Sequence, residues 1–248
     1  MSDVITVTDV ARSFGPRVVF KHVSFVVHQG EILVILGGSG CGKSTLLRIM
    51  MGLLEASEGR IEVLGADMAT ADATLRIRVG VMFQMGALFG SMTLLENIML
   101  PLEMHTDLPP TARESVARTK LGLVGLADAA ALMPAEISGG MSKRAAIARA
   151  LALDPPLLFL DEPSAGLDPI TSAGLDRLIL DLKRDLGISF VVVTHELASI
   201  MAIADRCIML DKAAEGMIAE GDPKTLAETS DNPTVRAFFR REAAGDKP

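Results

Sequence analysis

The sequence contains no tryptophan and no tyrosine, and only two of its 248 residues are cysteines. Any aromatic stacking must therefore come from phenylalanine or histidine. Cys41 and Cys207 form no metal-binding pattern, and Cys41 lies inside a glycine-rich segment where a structural disulfide is not expected. The scarcity of cysteine excludes a disulfide-stapled scaffold and fits the reducing environment of the cytosol.

Uninterrupted apolar runs of membrane-spanning length are also missing, although 49% of the residues are hydrophobic. Proline, glycine or a charged residue interrupts each run, so we predict no transmembrane helix. The first residues, MSDVITV, contain an acid and no basic region before an apolar stretch, so we expect no secretory signal. The surplus of apolar residues favours a surface that binds a partner.

An excess of positive charge is absent as well, because the net charge is −7. Binding along a nucleic acid requires clustered lysine and arginine, so we expect no nucleic-acid partner. The length is typical of one α/β domain, or of one domain with a subdomain. No internal repeat or low-complexity segment is evident.

The segment from Glu31 to Met51 has the pattern of a strand, a glycine-rich loop and a helix. Ile32 to Leu36 is a short apolar run, typical of a buried parallel strand. Ser44 to Met51 carries apolar residues at helical spacing, and a glycine follows as a stop signal. In this context the sequence G-x-x-x-x-G-K-S from 37 to 44 indicates a phosphate-binding loop.

A loop of this kind binds phosphate through its backbone and one lysine. Glycines let the backbone N–H groups of Ser39 to Lys43 approach phosphate oxygens, and the helix N-terminus favours an anion. Lys43 adds a positive charge near the β and γ phosphates, and the Ser44 hydroxyl is placed to bind Mg²⁺. A glycine-rich turn with a chance Lys-Ser pair is the alternative, which the flanking strand and helix disfavour.

The run Leu157 to Glu162 is the second strong signal. Four apolar residues form a central strand, and Asp161 and Glu162 lie at its carboxyl end, where open parallel sheets bind ligands. Asp161 can hold Mg²⁺ through water, and Glu162 can orient or deprotonate the water that attacks a γ-phosphate. The alternative is a pair of acids that caps the next turn.

Three single residues leave two interpretations open. Phe14 could stack on adenine, which is worth about 1–3 kcal/mol, but local sequence favours a core phenylalanine at the edge of a hairpin. Gln84, on the buried side of a strand end, could reach Mg²⁺ or the attacking water, and a solvated strand end is equally compatible. His195 follows the apolar strand Ser189 to Thr194; a lone histidine is usually structural, but this position makes it a candidate γ-phosphate contact.

Ser138-Gly139-Gly140 opens a helix that we predict from Met141 to Leu153. Ser138 is a good N-cap, and a glycine pair at a helix start is a second anion-binding geometry. Alone, this tripeptide is weak evidence. The basic residues that follow, Lys143, Arg144 and Arg149, are interpreted as solvated helix positions.

The rest of the chain divides by periodicity. Alternating residues predict antiparallel strands at Val4–Val10 and Val18–Val27, and helical spacing dominates between Leu88 and Leu132, which indicates an inserted helical subdomain. Pro101 and Pro109-Pro110 are expected to break these helices, and Leu126–Ala131 is expected to be helical. Further elements are predicted as strands at 58–65, 80–84, 206–211 and 216–220, and as helices at 171–185, 223–229 and 233–241.

These motifs, in this order, resemble the nucleotide-binding subunits of ABC transporters. Walker A is matched by Gly37–Ser44, the glutamine loop by Gln84, the signature by Ser138–Gly140, Walker B with its catalytic glutamate by Leu157–Glu162, the D-loop by Ser164–Asp168, and the switch histidine by His195. Phe14 occupies the adenine-stacking position. The resemblance covers nearly the whole chain, and the joint match is very specific.

The resemblance implies a fold and a set of site residues. The fold is that of an α/β P-loop NTPase, with a RecA-like core, an N-terminal antiparallel β subdomain and an inserted helical subdomain. The single domain would comprise a core at 1–87 and 155–230, a helical signature subdomain at 88–154, and a tail at 231–248. The implied catalytic residues are Glu162, His195 and Gln84; the implied Mg²⁺ ligands are Ser44, Gln84 and Asp161. The implied ATP contacts are Phe14, Gly37, Gly38, Ser39, Gly40, Cys41, Gly42, Lys43, Ser44, Thr45, Ser138, Gly139, Gly140 and Asp168.

The signature has Met141 where the family usually has glutamine, which removes one amide but leaves the phosphate-contacting residues. This methionine, the residues around Gln84 and the segment Asp231–Phe239 resemble the Mla-type branch, whose ATPases are linked to MCE proteins. That branch implies ATP-driven phospholipid transport across the Gram-negative envelope, from the cytoplasmic face of the inner membrane. Its implied partners are an integral-membrane permease, an MCE-domain protein and a small STAS-domain protein, with the tail reaching another ATPase subunit or the STAS protein.

The implied mechanism needs two copies of the chain. The Walker A motif of one copy would hold ATP–Mg²⁺, and the Ser138 segment of the other would close over it; the permease would dock near Gln84–Glu96. The apolar residues Met82, Met85, Leu88, Phe89 and Met92 are as compatible with ordinary core as with that docking surface. Alternatives are an ATPase for another transported substrate, such as amino acids or lipoproteins, and a cell-division type of ABC ATPase.

Overall fold

The structure is a computed structural model that describes residues 2–241. In that range the strands are β1 Asp3–Phe14, β2 Arg17–His28, β3 Ile32–Gly37, β4 Glu58–Val63, β5 Ala66–Asp67, β6 Val79–Met82, β7 Leu157–Asp161, β8 Ser189–Val193, β9 Arg206–Asp211 and β10 Gly216–Gly221. The α-helices are α1 Lys43–Met50, α2 Ala73–Arg76, α3 Leu94–His105, α4 Pro110–Leu123, α5 Gly139–Ala150, α6 Pro169–Leu186, α7 Leu197–Ile203, α8 Pro223–Thr229 and α9 Pro233–Arg240.

The central sheet has the order β10-β9-β3-β8-β7-β6 and is parallel except for β10. Every residue of β3 and β8 is buried, as expected for parallel strands that are covered on both faces. Asp161 of β7 lies opposite Val193 of β8, and Val193 lies opposite Ile35 of β3. The carboxyl ends of these strands therefore meet at one edge, and the residues that follow them are brought together.

Alternate residues of these strands point into two separate apolar layers. Ile32, Val34 and Leu36 face a layer that is completed by the inserted helices and by α6, α7 and α9. Leu33 and Ile35 face a second layer that is completed by α1 and by the antiparallel sheet β2-β1-β4-β5. The antiparallel hairpin predicted at the N-terminus is thus confirmed, and it covers one face of the central sheet.

Two expectations about the inserted helices are wrong. Pro101 does not end a helix: α3 continues through it, since a capping box at Thr93 and buried Leu94, Ile98 and Leu102 hold both halves of the helix. The segment 126–131 contains only a short 3₁₀ helix at Ala127–Ala129. The sequence analysis also missed α7, a helix of 7 residues between β8 and β9.

The predicted tail helix is present as α9, and its apolar residues are used within the chain. Val235 is fully buried and Phe239 is 8% exposed, and both belong to the layer that contains α7. The implied arm to another subunit is therefore not made by these two side chains. The remaining tail residues, 242–248, lie outside the described residues. Along residues 2–241, no helix combines the length and the apolarity needed to cross a bilayer.

Candidate active site

The glycine-rich loop links β3 to α1, and two of its glycines have no room for a side chain. Gly37 has φ 144°, and a Cβ there would lie 2.2 Å from the backbone oxygen of Leu210. Gly42 has φ 102°, and its Cβ would lie 2.7 Å from Cδ1 of Phe20. Both contacts are far inside van der Waals distance, so glycine is required at these positions. Gly38, Ser39 and Gly40 at the tip of the loop are exposed, which makes their backbone accessible to a ligand.

The first turn of α1 is free to bind an anion. Its N-cap, Gly42, makes no side-chain cap, and no acidic residue lies in the first turn. The Lys43 ammonium bends back over the loop and donates to the carbonyl oxygens of Gly37 at 2.8 Å and Gly38 at 3.1 Å. Unsatisfied N–H groups and a lysine therefore share one small region, which is the arrangement that the motif predicts for phosphate.

Oxygen ligands suited to a divalent cation lie beside this loop. The Ser44 hydroxyl donates to Oδ1 of Asp161 at 3.4 Å, so the two lie within reach of a single ion. Burial and the nearby charge of Glu162 raise the pKa of Asp161, while the Ser44 hydrogen bond, Arg48 and Lys43 oppose the rise. A hydroxyl and a carboxylate are ligands that Mg²⁺ accepts, so these residues fit that ion.

Glu162 and His195 form a pair at the adjacent strand ends. Nδ1 of His195 lies 2.9 Å and 3.0 Å from the two carboxylate oxygens of Glu162. Glu162 is 9% exposed, whereas the His195 side chain is 63% exposed. Glu162 also has φ 49°, a left-handed conformation that costs a non-glycine residue about 1–3 kcal/mol and is held here by its N–H bond to Val193. The structure thus aims an almost buried carboxylate at a solvent-facing histidine.

Phe14 is not a core residue, so the interpretation favoured by local sequence is wrong. Its ring is 49% exposed, and the Arg12 guanidinium lies 4.3 Å from the ring centroid. A cleft of about 310 Å³ separates it from the phosphate loop. The residues that line the cleft are Phe14, Arg17, Val19, Gly40, Gly42, Lys43, Ser44 and Thr45. An aromatic ring at one end and a phosphate loop at the other match the two ends of a nucleotide.

Gln84 is not on a buried side of its strand. The strand β6 ends at Met82, and Gln84 lies beyond it in an exposed turn. Gln84 as a whole is exposed, and its backbone oxygen accepts a hydrogen bond from Lys143. The predicted roles of its side-chain amide toward Mg²⁺ and water stay predictions.

The Ser138 segment forms the helix start that the sequence predicts. The Ser138 hydroxyl accepts from the Met141 N–H at 3.2 Å, and Ser138 and Gly139 are exposed. A Cβ at Gly140 would lie 2.4 Å from Cγ2 of Thr171, so glycine lets α5 pack against α6. None of the three residues is among those that line the cleft beside Phe14.

Asp168 has a local partner for its carboxylate. Oδ1 accepts from the N–H groups of Ile170 and Thr171, each at 3.0 Å, and so caps α6. The pKa of Asp168 is lowered mainly by the hydrogen bond from the Thr171 hydroxyl and further by the one from the Thr171 N–H, and both favour the ionised carboxylate. Its predicted contact with nucleotide remains a prediction. Cys41, also predicted to contact nucleotide, has a buried side chain; burial raises the pKa of its thiol, and both cysteines are free, as expected.

Sequence reasoning missed Lys143, whose interpretation as a solvated helix position is wrong. It is 9% exposed, and its ammonium donates to the backbone oxygens of Gln84 and, at 3.3 Å, of Glu162. Burial lowers the pKa of Lys143, and the charges of Glu162 and Asp161 oppose that change. Arg149 on the same helix is half-buried and donates to the backbone oxygen of Ala87 at 2.5 Å. The alanine-rich stretch that follows Lys143 on its helix is a sequence signal for burial of that helix.

Comparison with known sequences places these features in one family. The family profile described as "ABC transporter" matches residues 20–165. The chain is 40% identical to the intermembrane phospholipid transport system ATP-binding protein MlaF of Escherichia coli K12, over 100% of this chain and 93% of that protein. It is 38% identical to the probable ribonucleotide transport ATP-binding protein mkl of Mycobacterium tuberculosis H37Rv, over 97% of this chain and 67% of that protein.

Solved structures of two ATP-binding cassettes resemble the fold. One is a dimeric post-hydrolysis state of the cassette MJ0796 bound to ADP and Pi, with a TM-score of 0.78 and 30% identity over 88% of this chain and 98% of that chain. The other is cbiO1 from Clostridium perfringens, part of an ABC transporter complex, with a TM-score of 0.84 and 27% identity over 92% of each chain. The P-loop NTPase fold expected from the sequence is therefore confirmed.

Proposed function

Because this chain belongs to the ABC transporter family and hydrolyses ATP as its members do, we propose that it is the ATPase subunit of a phospholipid transporter. The observation that carries the catalytic half of the proposal is the meeting of the phosphate loop, Asp161, Glu162 and His195 at one edge of the parallel sheet. The observation that carries the phospholipid half is the 40% identity to MlaF over the whole chain.

Each residue of the site has a role toward one part of the ATP molecule. Phe14 stacks on the adenine, and the loop N–H groups with Lys43 bind the β and γ phosphates. Ser44, Asp161 and the Gln84 amide would hold Mg²⁺, which would neutralise charge on the phosphate oxygens. Glu162 takes the proton of the attacking water, and His195, hydrogen-bonded to that carboxylate, contacts the γ-phosphate.

A second copy of the chain completes each site. The exposed Ser138 and Gly139 at the start of α5 do not line the cleft of their own chain, and a helix start of this kind suits a phosphate. Two copies arranged head to tail bring this helix start onto the partner's cleft. The dimeric assembly described for MJ0796 supports the proposal.

A permease docks on the segment that follows β6. Met82, the last residue of β6, is fully buried, but in the segment after it Met85 is 88% exposed and Phe89 is 49% exposed. Exposed side chains of this size are characteristic of protein contacts. Arg149 donates to the backbone of this segment and lies 5.9 Å from the Phe89 ring, so the surface is tied to the helix that begins at Ser138. Through the permease the subunit lies on the cytoplasmic face of the inner membrane, together with an MCE-domain protein and a STAS-domain protein.

The transported substrate is tested by its effect on ATP hydrolysis. The chain is purified in detergent with the subunits that bind it and is reconstituted into vesicles of defined lipid. Phospholipid is expected to stimulate phosphate release, whereas ribonucleotides and amino acids are not. The Lys43→Ala variant is the control for phosphate release by contaminating ATPases, since it lacks the phosphate-binding ammonium. Stimulation by ribonucleotide alone would instead favour a function like that named for mkl.

A further inference from the structure

Lys143 is an almost buried ammonium whose two hydrogen bonds end on backbone carbonyls. The carbonyl of Gln84 follows β6 and that of Glu162 follows β7, while Lys143 itself lies on α5, the helix that Ser138 caps. Burying a lysine is costly unless its donors are satisfied. Through these two bonds Lys143 links three segments of chain, which are α5, the turn after β6 and the turn after β7.

One of these segments carries strain that needs support. The backbone of Glu162 is left-handed at φ 49°, and such a conformation persists only where the surroundings impose it. The N–H of Glu162 is held by Val193 at 2.8 Å, and its carbonyl is held by Lys143 at 3.3 Å. The two bonds fix both polar groups of the residue whose carboxylate faces His195.

We propose that Lys143 is a positioning residue, which couples the helix start at Ser138 to the backbone of the glutamate that acts on water. When the helix moves on closure against a partner's nucleotide, the ammonium carries the main chain of Glu162 and Gln84 with it. Arg149 donates to the backbone of Gly86 and Ala87 instead, so among the hydrogen bonds within residues 2–241 it is Lys143 that joins this helix to Glu162. The inference rests on the proposed role of Glu162 as the base.

The variants Lys143→Met and Lys143→Arg test this coupling in the complex copurified in detergent. Methionine keeps an unbranched side chain as far as Cε and removes the donors. A misplaced reacting group can cost up to about 100-fold in rate, so we expect kcat to fall about 10- to 100-fold. The KM for ATP and the affinity for a fluorescent ATP analogue should stay within about twofold, because Lys143 does not line the cleft. Arginine retains the donors and should recover part of the rate.

Hydrogen–deuterium exchange supplies a readout that is independent of activity. In Lys143→Met, the peptides that contain residues 82–87 and 160–164 should exchange faster, and the peptides of the phosphate loop should not. Lys120→Met is the matched control, since Lys120 is also buried, at 6% exposure, but pairs with Asp154. That variant is expected to lower stability and leave kcat and both exchange patterns unchanged.

The outcomes decide the proposal. A kcat within about twofold of wild type, unaltered exchange at 160–164, or equal losses in Lys143→Met and Lys120→Met would overturn it. If the methionine variant fails to fold, Lys143→Leu, which also removes the donors, is measured against the same criteria. The exchange result stands even if Glu162→Gln proves active, so failure of the positioning role and failure of the proposed base are distinguishable.

Discussion

Replacing Glu162 by glutamine removes the proposed base and leaves the surrounding geometry almost unchanged. The amide has the size of the carboxylate, and its oxygen can still accept the hydrogen bond from Nδ1 of His195 that the carboxylate accepts at 2.9 Å. The backbone bond to Val193 does not involve the side chain. The variant therefore isolates the loss of one proton acceptor.

The size of the effect follows from the chemistry that is lost. A positioned general base contributes about 10²- to 10⁴-fold to the rate. At about 1.36 kcal/mol for each factor of ten, the barrier rises by about 3–5 kcal/mol. Binding is expected to be retained or strengthened, because the charge of Glu162 is one cause of the raised pKa of Asp161. Removing that charge acts to lower the pKa of Asp161, which favours the carboxylate form that Mg²⁺ binds.

The assay pairs phosphate release at saturating ATP–Mg²⁺ with an equilibrium titration of a fluorescent ATP analogue. We expect hydrolysis to fall by at least about 100-fold and the dissociation constant to be equal or lower. Glu196→Gln is the control, since Glu196 is the next glutamate along the chain and makes no contact with Glu162 among the described hydrogen bonds. Hydrolysis by Glu162→Gln within about threefold of wild type would refute the assignment of the base.

Three further predictions concern the loop, the pH dependence and the tail. Gly42→Ala should abolish nucleotide binding and cost about 1–3 kcal/mol of stability, because the added Cβ would collide with Phe20 and the backbone has a left-handed φ. A nucleotide titration measures the first effect and a melting curve the second. Wild-type affinity for nucleotide would contradict the prediction. Burial raises the pKa of Asp176 above its ordinary 3.8. Between about pH 3.8 and the raised pKa, the native state therefore binds more protons than the unfolded state, and the free energy of unfolding falls as pH rises through this window. Asp176→Asn lacks this fall, and its Tm relative to wild type should increase between about pH 4 and pH 7; a constant difference would show that Asp176 does not titrate there. Phe239→Ala should lower the free energy of unfolding in urea by about 3–5 kcal/mol, because Phe239 is 8% exposed. Phe238→Ala, at a half-buried position, should cause a smaller loss in the same experiment. Equal losses would show that α9 does not pack on the rest of the chain.

Several features could be predicted from the sequence because short-range patterns determine them. The phosphate loop needs only a buried strand, glycines at fixed positions and a helix start, all within Ile32–Met51. The cap at Ser138 depends on one hydroxyl and a backbone N–H three residues along, and the buried strands are visible as apolar runs. The family resemblance then assigned roles to residues that local patterns left open, such as Phe14 and His195.

Other features could not be predicted because they depend on which segments meet. Pro101 was expected to end a helix, but the packing of Leu94, Ile98 and Leu102 on the core outweighs the lost hydrogen bond. The tail helix was visible as an amphipathic pattern, yet nothing in that pattern states whether Val235 and Phe239 pack on their own chain or on another.

Residue order alone determined the chemistry of the site, because the binding groups are consecutive or lie at the ends of recognisable strands. Tertiary structure alone decided that Glu162 faces His195, that Phe14 stays exposed at the end of the cleft, and that Lys143 is withdrawn from solvent onto two carbonyls. The physical reason is the parallel register, which brings strand ends distant in the chain to one edge, where burial sets charge and orientation.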